Sequence, residues 1–263
     1  MGVDRLALKT AEKIKAGAVP PSKVRKPSVS GTDTRGKLLD SAERLFAEKG
    51  YDGTSLRDIA ESAKQHLALS TYHFGTKERL FEEVIHRRAE TMEAMRLAAL
   101  AQIDLAALSQ SEAVRALIEA YAMPMIRARY GRSPQWRAYV KLMSQLISVK
   151  RWLPLIRKNY DNCGRRFIES FRQVLPHADN DALLNTFSFT ISTMLYVCSY
   201  PNRFDKMKVR HESSKEEIDS AIENFIRFCH AGFLACEQVP SAQARAAALR
   251  PRQAAPRKKV AAS

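Results

Sequence analysis

The side chains with the clearest chemical capacity in this sequence are basic, and they are concentrated at its two ends. Lys and Arg number 43 against 28 Asp and Glu, a formal net charge of +15 at pH 7. Residues 1–33 carry +4 and residues 238–263 carry +6, so the two ends supply ten of these charges. Basic tails of this kind bind polyanions, of which nucleic acid is the most common. A solvated tail that only improves solubility is the alternative interpretation.

Residue patterns typical of enzymes and metal sites are absent from the sequence. It has no P-loop, no G-x-S-x-G, no H-E-x-x-H and no glycine-rich dinucleotide turn. The six histidines are scattered, and Cys163, Cys198, Cys229 and Cys236 include no C-x-x-C pair. We therefore expect a protein that is not an enzyme and that uses no metal or other cofactor. The cysteines are expected to be buried small hydrophobes, with a thiol-based redox sensor as the alternative.

Nothing in the sequence predicts a membrane partner. No uninterrupted apolar run approaches the roughly 20 residues that are needed to cross a bilayer. The first residues, MGVDRLALKTAEKIKAG, contain no apolar segment followed by a small-residue cleavage site. We expect a cytoplasmic protein.

Between the two ends, apolar residues recur with the period of α-helices, and alternating segments typical of strands are absent. Capping residues, glycines and prolines divide this region into about nine helices, so the predicted fold class is all-α. The expected ranges are 34–49, 54–63, 67–74, 76–100, 111–129, 133–148, 154–175, 179–200 and 214–236, the last beginning with a capping box of Ser214 and Glu217.

The second and third predicted helices have the dimensions of a helix-turn-helix, because both are short and three residues separate them. Such a unit needs a third helix behind it. The first helix can provide it, with Leu38, Leu45 and Phe46 packed against Leu56 and Ile59. In this motif the second of the two short helices enters the major groove of DNA. The pattern therefore indicates a DNA-binding unit near the N-terminal end.

The run from Thr34 to Ile85 resembles the DNA-binding domain of TetR-family transcription regulators. The residues that carry the resemblance are Leu45-Phe46, Gly50-Tyr51, Thr54-Ser55, Ile59-Ala60, Tyr72-His73-Phe74 and Gly75-Thr76-Lys77-Glu78. Combined with the composition of the two ends, the resemblance implies four segments. They are a flexible basic arm at 1–33, a three-helix DNA-binding domain at 34–81, a helical ligand-binding and dimerisation domain at 82–237 and a disordered basic tail at 238–263.

The resemblance also implies which side chains contact DNA. The implied phosphate contacts are Thr54, Ser55, Tyr72, His73 and Lys77; Arg57 holds a position from which some members reach a base edge; and Leu67, Ala68, Leu69 and Thr71 face the groove. The apolar groove residues would contact thymine methyl groups. Three residues have alternatives: a half-buried packing role for Tyr72, a solvated cap residue for Lys77 and an exposed ion pair for Arg57. A basic arm that reaches into the minor groove is a further hypothesis.

The turn of the motif departs from the family pattern. Lys64, Gln65 and His66 stand where the family usually has Gly, a branched apolar residue and a capping Ser or Asn. Lysine adopts the conformation of that glycine at a cost on the order of 1 kcal/mol. Histidine is also a poorer helix cap than serine. The spacing is unchanged, so the turn affects the pose of the third helix rather than the fold.

By resemblance, the body should form the dimer and hold the effector. We expect a homodimer through the helices near 179–200 and 214–236, both of which are strongly apolar. We expect a pocket lined by Trp136, Tyr139, Met143, Trp152, Phe167, Phe171 and Met194, with plain core packing as the alternative for each. The predicted function is a repressor that binds double-stranded DNA at a palindromic operator and is released by a small apolar or amphipathic effector. The alternatives are an architectural DNA-binding protein that uses its basic tails and a ligand-blind regulator.

Overall fold

The computed structural model describes residues 31–147, 149–199 and 215–238, and within these ranges it contains nine α-helices and no strand. The predicted all-α fold is thus confirmed for this part of the chain. The helices are α1 (Gly31–Lys49), α2 (Leu56–Ser62), α3 (Leu67–Phe74), α4 (Lys77–Leu100), α5 (Gln110–Tyr130), α6 (Pro134–Leu146), α7 (Leu153–Val174), α8 (Asn180–Ser199) and α9 (Lys215–Ala235). Three single turns of 3-10 helix lie at Leu105–Ala107, Lys150–Trp152 and Cys236–Gln238.

Three sequence predictions fall outside the described residues in whole or in part. The basic arm is described only from residue 31, where α1 begins three residues earlier than expected, and the basic tail only at residue 238. The capping box at the start of α9 involves Ser214, which also lies outside.

The helices begin and end where capping chemistry satisfies their free backbone groups. Ser55 caps α2 in a reciprocal capping box with Asp58, and Thr76 caps α4 by accepting a hydrogen bond from the backbone N–H of Arg79 at 3.2 Å. Gly50 and Gly75 follow α1 and α3 with φ angles of 75° and 72°, a conformation that glycine adopts without strain.

Helices α1 to α3 and the start of α4 share one apolar core. Phe46 of α1 and Phe81 of α4 meet edge to face with ring centroids 4.9 Å apart, and both are fully buried. Ile59 of α2 and Phe74 of α3 are buried in the same cluster. The first helix therefore supports the two short ones as the sequence predicts.

Two sets of contacts join this domain to the body. Glu43 of α1 is buried and accepts hydrogen bonds from Arg87 and Arg88 of α4, each pair 2.7 Å apart at its closest. Trp152 lies against the rings of Tyr51 and Phe81, with centroids 4.7 and 4.5 Å apart. This buried ionic contact and this aromatic contact add to the packing of α1 on α6, and together they hold the two halves of the protein together.

Helix α8 lies among α5, α6 and α9 in the body. Helix α8 is long and apolar enough to cross a membrane, but core helices of soluble proteins meet the same two criteria. On its inner face Phe187 meets Tyr121 and Phe171, and Phe171 in turn stacks on Phe233 of α9 with centroids 3.9 Å apart. These contacts make it a core helix of the body.

All four cysteines are free thiols in the interior. Burial raises the pKa of Cys163 to about 11 and that of Cys198 to about 12, and it also raises the pKa of Cys229. These three side chains are therefore protonated at neutral pH, the form that reacts slowly with oxidants. The geometry supports packing roles rather than the redox-sensor alternative.

The turn between α2 and α3 carries the strain that its sequence predicts. Lys64 has a φ of 54°, and no other non-glycine residue in the described ranges has a positive φ. His66 occupies the cap position of α3 with extended backbone angles, yet its side chain makes no capping hydrogen bond. Both departures from the family pattern therefore have a local cost.

We predict that His66→Ser raises the free energy of unfolding by about 1 kcal/mol. The backbone of residue 66 already has the cap conformation, so a serine hydroxyl can accept a hydrogen bond from the first turn of α3. Urea denaturation followed by circular dichroism measures the change. His66→Ala is the matched control and should bring no gain; equal stability of the two variants would contradict the prediction.

Candidate nucleic-acid interface and effector cavity

Helix α3 presents one face to solvent and anchors the other in the core. Ser70 and Phe74 are buried, whereas Leu67 is 46% exposed and Tyr72 is 80% exposed. The remaining expected groove residues are Ala68 and Thr71, which are exposed, and Leu69, which is half-buried. The face predicted to enter the major groove is therefore accessible, and its contacts to bases stay a prediction.

Tyr72 and His73 lie side by side at the end of α3, with ring centroids 5.2 Å apart and planes inclined by 73°. Because Tyr72 is exposed, the half-buried packing alternative for it is wrong. Its hydroxyl is free to reach a phosphate next to the groove. Arg57 is exposed on α2, so a base or phosphate contact from it also stays a prediction.

Lys77 makes stabilising contacts within the protein. Its Nζ donates hydrogen bonds to the carbonyl oxygens of Tyr51 and Thr54, at 3.1 and 3.0 Å, and lies 4.1 Å from the centroid of the Tyr51 ring. The ammonium group thus holds the turn before α2 against the start of α4. Lys77 is therefore not merely a solvated cap residue, which was the alternative interpretation. An ammonium has three donors, so one remains for a phosphate at the N-terminus of α4.

Two expected phosphate ligands are occupied within the protein. Thr54 is buried, and its hydroxyl donates to the carbonyl oxygen of Gly50 at 2.9 Å, which corrects the expectation of a side-chain contact to DNA. Ser55 is exposed, but its hydroxyl and backbone N–H both bond to the Asp58 carboxylate, at 2.7 and 2.9 Å. These hydrogen bonds hold the pKa of Asp58 below its usual value, and a carboxylate at this position repels a phosphate.

The body contains a cavity of about 470 Å³ between helices α4 to α8. Exposed side chains of α7 and α8, among them Arg165, Arg172 and Leu184, line its outer part, so it opens to solvent there. Of the seven residues expected in a pocket, Met143 and Met194 line it. Its volume lies within the range of small-molecule sites.

The other five expected pocket residues are placed elsewhere, which corrects the prediction. Tyr139, Phe167 and Phe171 are packed in the core, Trp136 lies beneath the guanidinium of Arg88 at 5.0 Å, and Trp152 lies at the joint with the DNA-binding domain. These five rings fill the space between helices and stabilise their contacts, so they lie outside the cavity wall.

The cavity holds a polar residue that the sequence reasoning missed, Arg96 of α4, which is only 2% exposed. Its Nε donates to the carbonyl oxygen of Tyr121 at 2.9 Å, and its guanidinium carbon lies 3.9 Å from the centroid of the Tyr121 ring. A signal was present, because Arg96 continues the apolar series Ile85, Ala89 and Met92 at spacings of three and four residues.

Tyr160 adds a hydroxyl group to the cavity wall. This hydroxyl is hydrogen-bonded to that of Tyr139 and lies 3.3 Å from the sulfur of Met143. Burial raises the pKa of Tyr139 to about 12 and that of Tyr160 well above its usual value. Both phenols are therefore protonated at neutral pH and can donate hydrogen bonds.

Two family models match the chain, and they agree with these two sites. Residues 38–84 match the model described as "Bacterial regulatory proteins, tetR family", and residues 119–232 match "Tetracyclin repressor-like, C-terminal domain". Together they cover more than half of the 263 residues. The chain belongs to the TetR family of bacterial transcription regulators. Its helix-turn-helix is accordingly a DNA-binding unit, which indicates a regulator rather than an enzyme.

Two relatives with a described function match a short segment of the chain. The biofilm operon icaADBC negative transcriptional regulator IcaR of Staphylococcus aureus strain Newman is 47% identical over 49 residues, and that of Staphylococcus epidermidis is 43% identical over the same length. Each match covers 19% of this chain and 26% of the relative. The matched segment is thus about a quarter of those proteins.

Solved structures share the fold over most of the chain. HlyIIR, a hemolysin II transcriptional regulator, is 21% identical, with a TM-score of 0.50 over 76% of this chain and 98% of its own. A TetR-like transcriptional regulator from Rhodococcus sp. RHA1 is 16% identical, with a TM-score of 0.50 over 80% of this chain and 97% of its own. At these identities the likeness concerns the fold alone.

We predict that Tyr72→Ala weakens binding to the operator about tenfold, because it removes an exposed hydroxyl and ring from the groove face. Fluorescence anisotropy with labelled operator DNA at moderate salt measures the affinity. The melting temperature should not change, because Tyr72 contributes little to the core.

Lys77→Ala serves as the comparison variant. It should weaken DNA binding and also lower the melting temperature, because the Tyr51 and Thr54 carbonyl oxygens lose their donor. Unchanged DNA affinity of both variants would show that this end of α3 does not contact DNA.

Proposed function

We propose that this TetR-family regulator is a homodimeric repressor, which binds a palindromic operator and is released by a small amphipathic effector. The observation that carries the proposal is the continuity of α4, which begins at the DNA-binding domain with Lys77 and borders the effector cavity with Arg96. The two residues are nineteen positions apart along the helix, a distance of roughly 28 Å at 1.5 Å per residue.

Repression, rather than activation, is supported by the relatives that this chain resembles over 49 residues. IcaR is a negative transcriptional regulator. A dimer would present two copies of α3 to two half-sites, so the operator would be palindromic.

The proposed dimer surface consists of the outward faces of α8 and α9. Phe189 and Tyr196, seven residues apart on α8, are 63% and 42% exposed, and Phe228 on α9 is 66% exposed. The two helices pack on each other, with Gly232 of α9 beside Thr186 of α8. Large apolar side chains exposed together on two packed helices are typical of an interface with a second copy.

The proposed release follows from the position of α4 in both parts. An effector that binds better to a second arrangement of the body shifts the protein toward it. Since α4 also carries Leu80 and Phe81 of the DNA-binding core, a tilt of this helix moves α3. The two recognition helices then no longer match adjacent grooves of the operator.

The test is to purify the full chain, incubate it with fragmented genomic DNA of the source organism, and sequence the retained DNA. We expect an enriched palindromic motif near a small number of genes. The alternative, an architectural protein that uses its basic tails, would retain fragments without a motif and with a steep dependence on salt. Retention without sequence preference would overturn the proposed function.

We predict that Phe189→Glu raises the dissociation constant of the dimer on the order of a hundredfold, because a carboxylate at a buried apolar interface lacks a partner. Analytical ultracentrifugation measures the dissociation constant. The matched control is Leu153→Glu, which introduces the same charge at an apolar residue that is 40% exposed at the start of α7. A dimer that is unaffected by Phe189→Glu would place the interface elsewhere.

A further inference from the structure

Arg96 is a buried cation whose surroundings do not balance its charge. Within the described ranges, no carboxylate lies within 4.0 Å of its guanidinium. A guanidinium stays protonated in proteins, so neighbouring groups have to stabilise its positive charge. The carbonyl oxygen and ring of Tyr121 stabilise it in part. A buried charge without a counter-ion is costly, and an anion that binds beside it would lower that cost.

The guanidinium also has donors to offer. Nε is used by Tyr121, and Nη2 lies 3.9 Å from the sulfur of Met194, which is a weak acceptor. Nη1 makes no hydrogen bond to any of the residues that the structure describes. Two neighbouring nitrogens of an arginine match the two oxygens of a carboxylate, so an anion in the cavity can use Nη1 and displace the sulfur from Nη2.

The other charged side chains of the cavity favour an anion as well. Arg165 and Arg172 stand at its mouth with a single acid, Asp161, so the wall carries more positive than negative charge. The neutral hydroxyl of Tyr160, hydrogen-bonded to that of Tyr139, adds a polar group to the wall without adding negative charge. The polar groups inside the cavity are therefore donors that suit a negatively charged oxygen.

The rest of the wall is apolar, which defines the remainder of the ligand. Its apolar side chains come from four helices and include Met125, Met143, Ile156, Ile168, Phe187 and Leu195. Such a wall binds hydrocarbon, and one buried cation binds one anionic group. The cavity therefore suits a molecule with a single anionic head and an apolar tail.

We propose that the effector is an amphipathic monoanion, an organic carboxylate with a hydrocarbon tail, and that its head pairs with Arg96. The inference rests on the proposed function, since it names the chemical class of the effector that the same cavity binds. Arg96 belongs to α4, so the ion pair acts on the helix that leads to the DNA-binding domain. An anion that attracts Arg96 favours whichever arrangement of α4 brings the guanidinium closest.

The experiment compares acids and alcohols of equal length. Isothermal titration calorimetry of the full chain with octanoate, dodecanoate and hexadecanoate is set against the corresponding 1-alkanols. We expect at least one acid to bind about tenfold or more tightly than its alcohol, because charge-assisted hydrogen bonds to Arg96 stabilise only the acid. Equal affinities for each acid and its alcohol would overturn the proposal, and so would a series in which no acid binds.

Variants assign the preference to Arg96. Arg96→Met should abolish the difference between acid and alcohol, whereas Arg96→Lys should retain part of it. The matched control is Arg166→Met, an exposed arginine of α7 outside the cavity wall, which should keep the full preference. An undiminished preference for the acid in a folded Arg96→Met protein would contradict the proposal.

Two further measurements separate the possible failures. Thermal unfolding without ligand shows whether Arg96→Met is folded, which we expect because a neutral side chain of similar length replaces an unbalanced charge. If it does not fold, the comparison of acid and alcohol in the wild type and in Arg96→Lys decides. Specific operator binding without any acid preference refutes this inference alone; acid preference without specific DNA binding refutes the proposed function alone.

Discussion

Helix α4 is the constraint on which the two halves of this protein depend, because it is a single uninterrupted helix that both of them need. Its first turns supply Leu80 and Phe81 to the core behind the helix-turn-helix, and Arg96, near its other end, borders the cavity. The backbone hydrogen bonds of a helix make it stiff along its axis. The DNA-binding face and the cavity therefore cannot change position independently of each other.

Three arginines of α4 differ in whether an acidic side chain of the protein neutralises their charge. Arg87 and Arg88 share the buried carboxylate of Glu43, and this contact fixes α4 against α1. Their counter-ion is thus supplied by the protein. Arg96 is more deeply buried than either of them but has a carbonyl group and an aromatic ring where the other two have an acid. One pair of arginines thus holds the structure together, and the third is available to a ligand.

Patterns among neighbouring residues were sufficient to predict most of the fold and part of the DNA interface. Helix periods, caps and glycines are properties of neighbouring residues, so all nine helices and even the strained Lys64 turn could be anticipated. The exposed face of α3 followed from the same spacing. Thr54 was misjudged because a residue type does not tell whether its hydroxyl faces solvent or the carbonyl oxygen of Gly50.

The class of fold, the position of the helix-turn-helix and the family resemblance could all be predicted from the sequence, since each rests on residues that are close along the chain. The location of the cavity could not be predicted in this way and became visible in the packed structure. Large rings such as Phe167 and Phe171 fill the contacts between helices, while the gap opens beside Arg96, Met143 and Met194. A gap depends on the relative placement of helices that are distant in sequence, and residue types alone do not contain that placement.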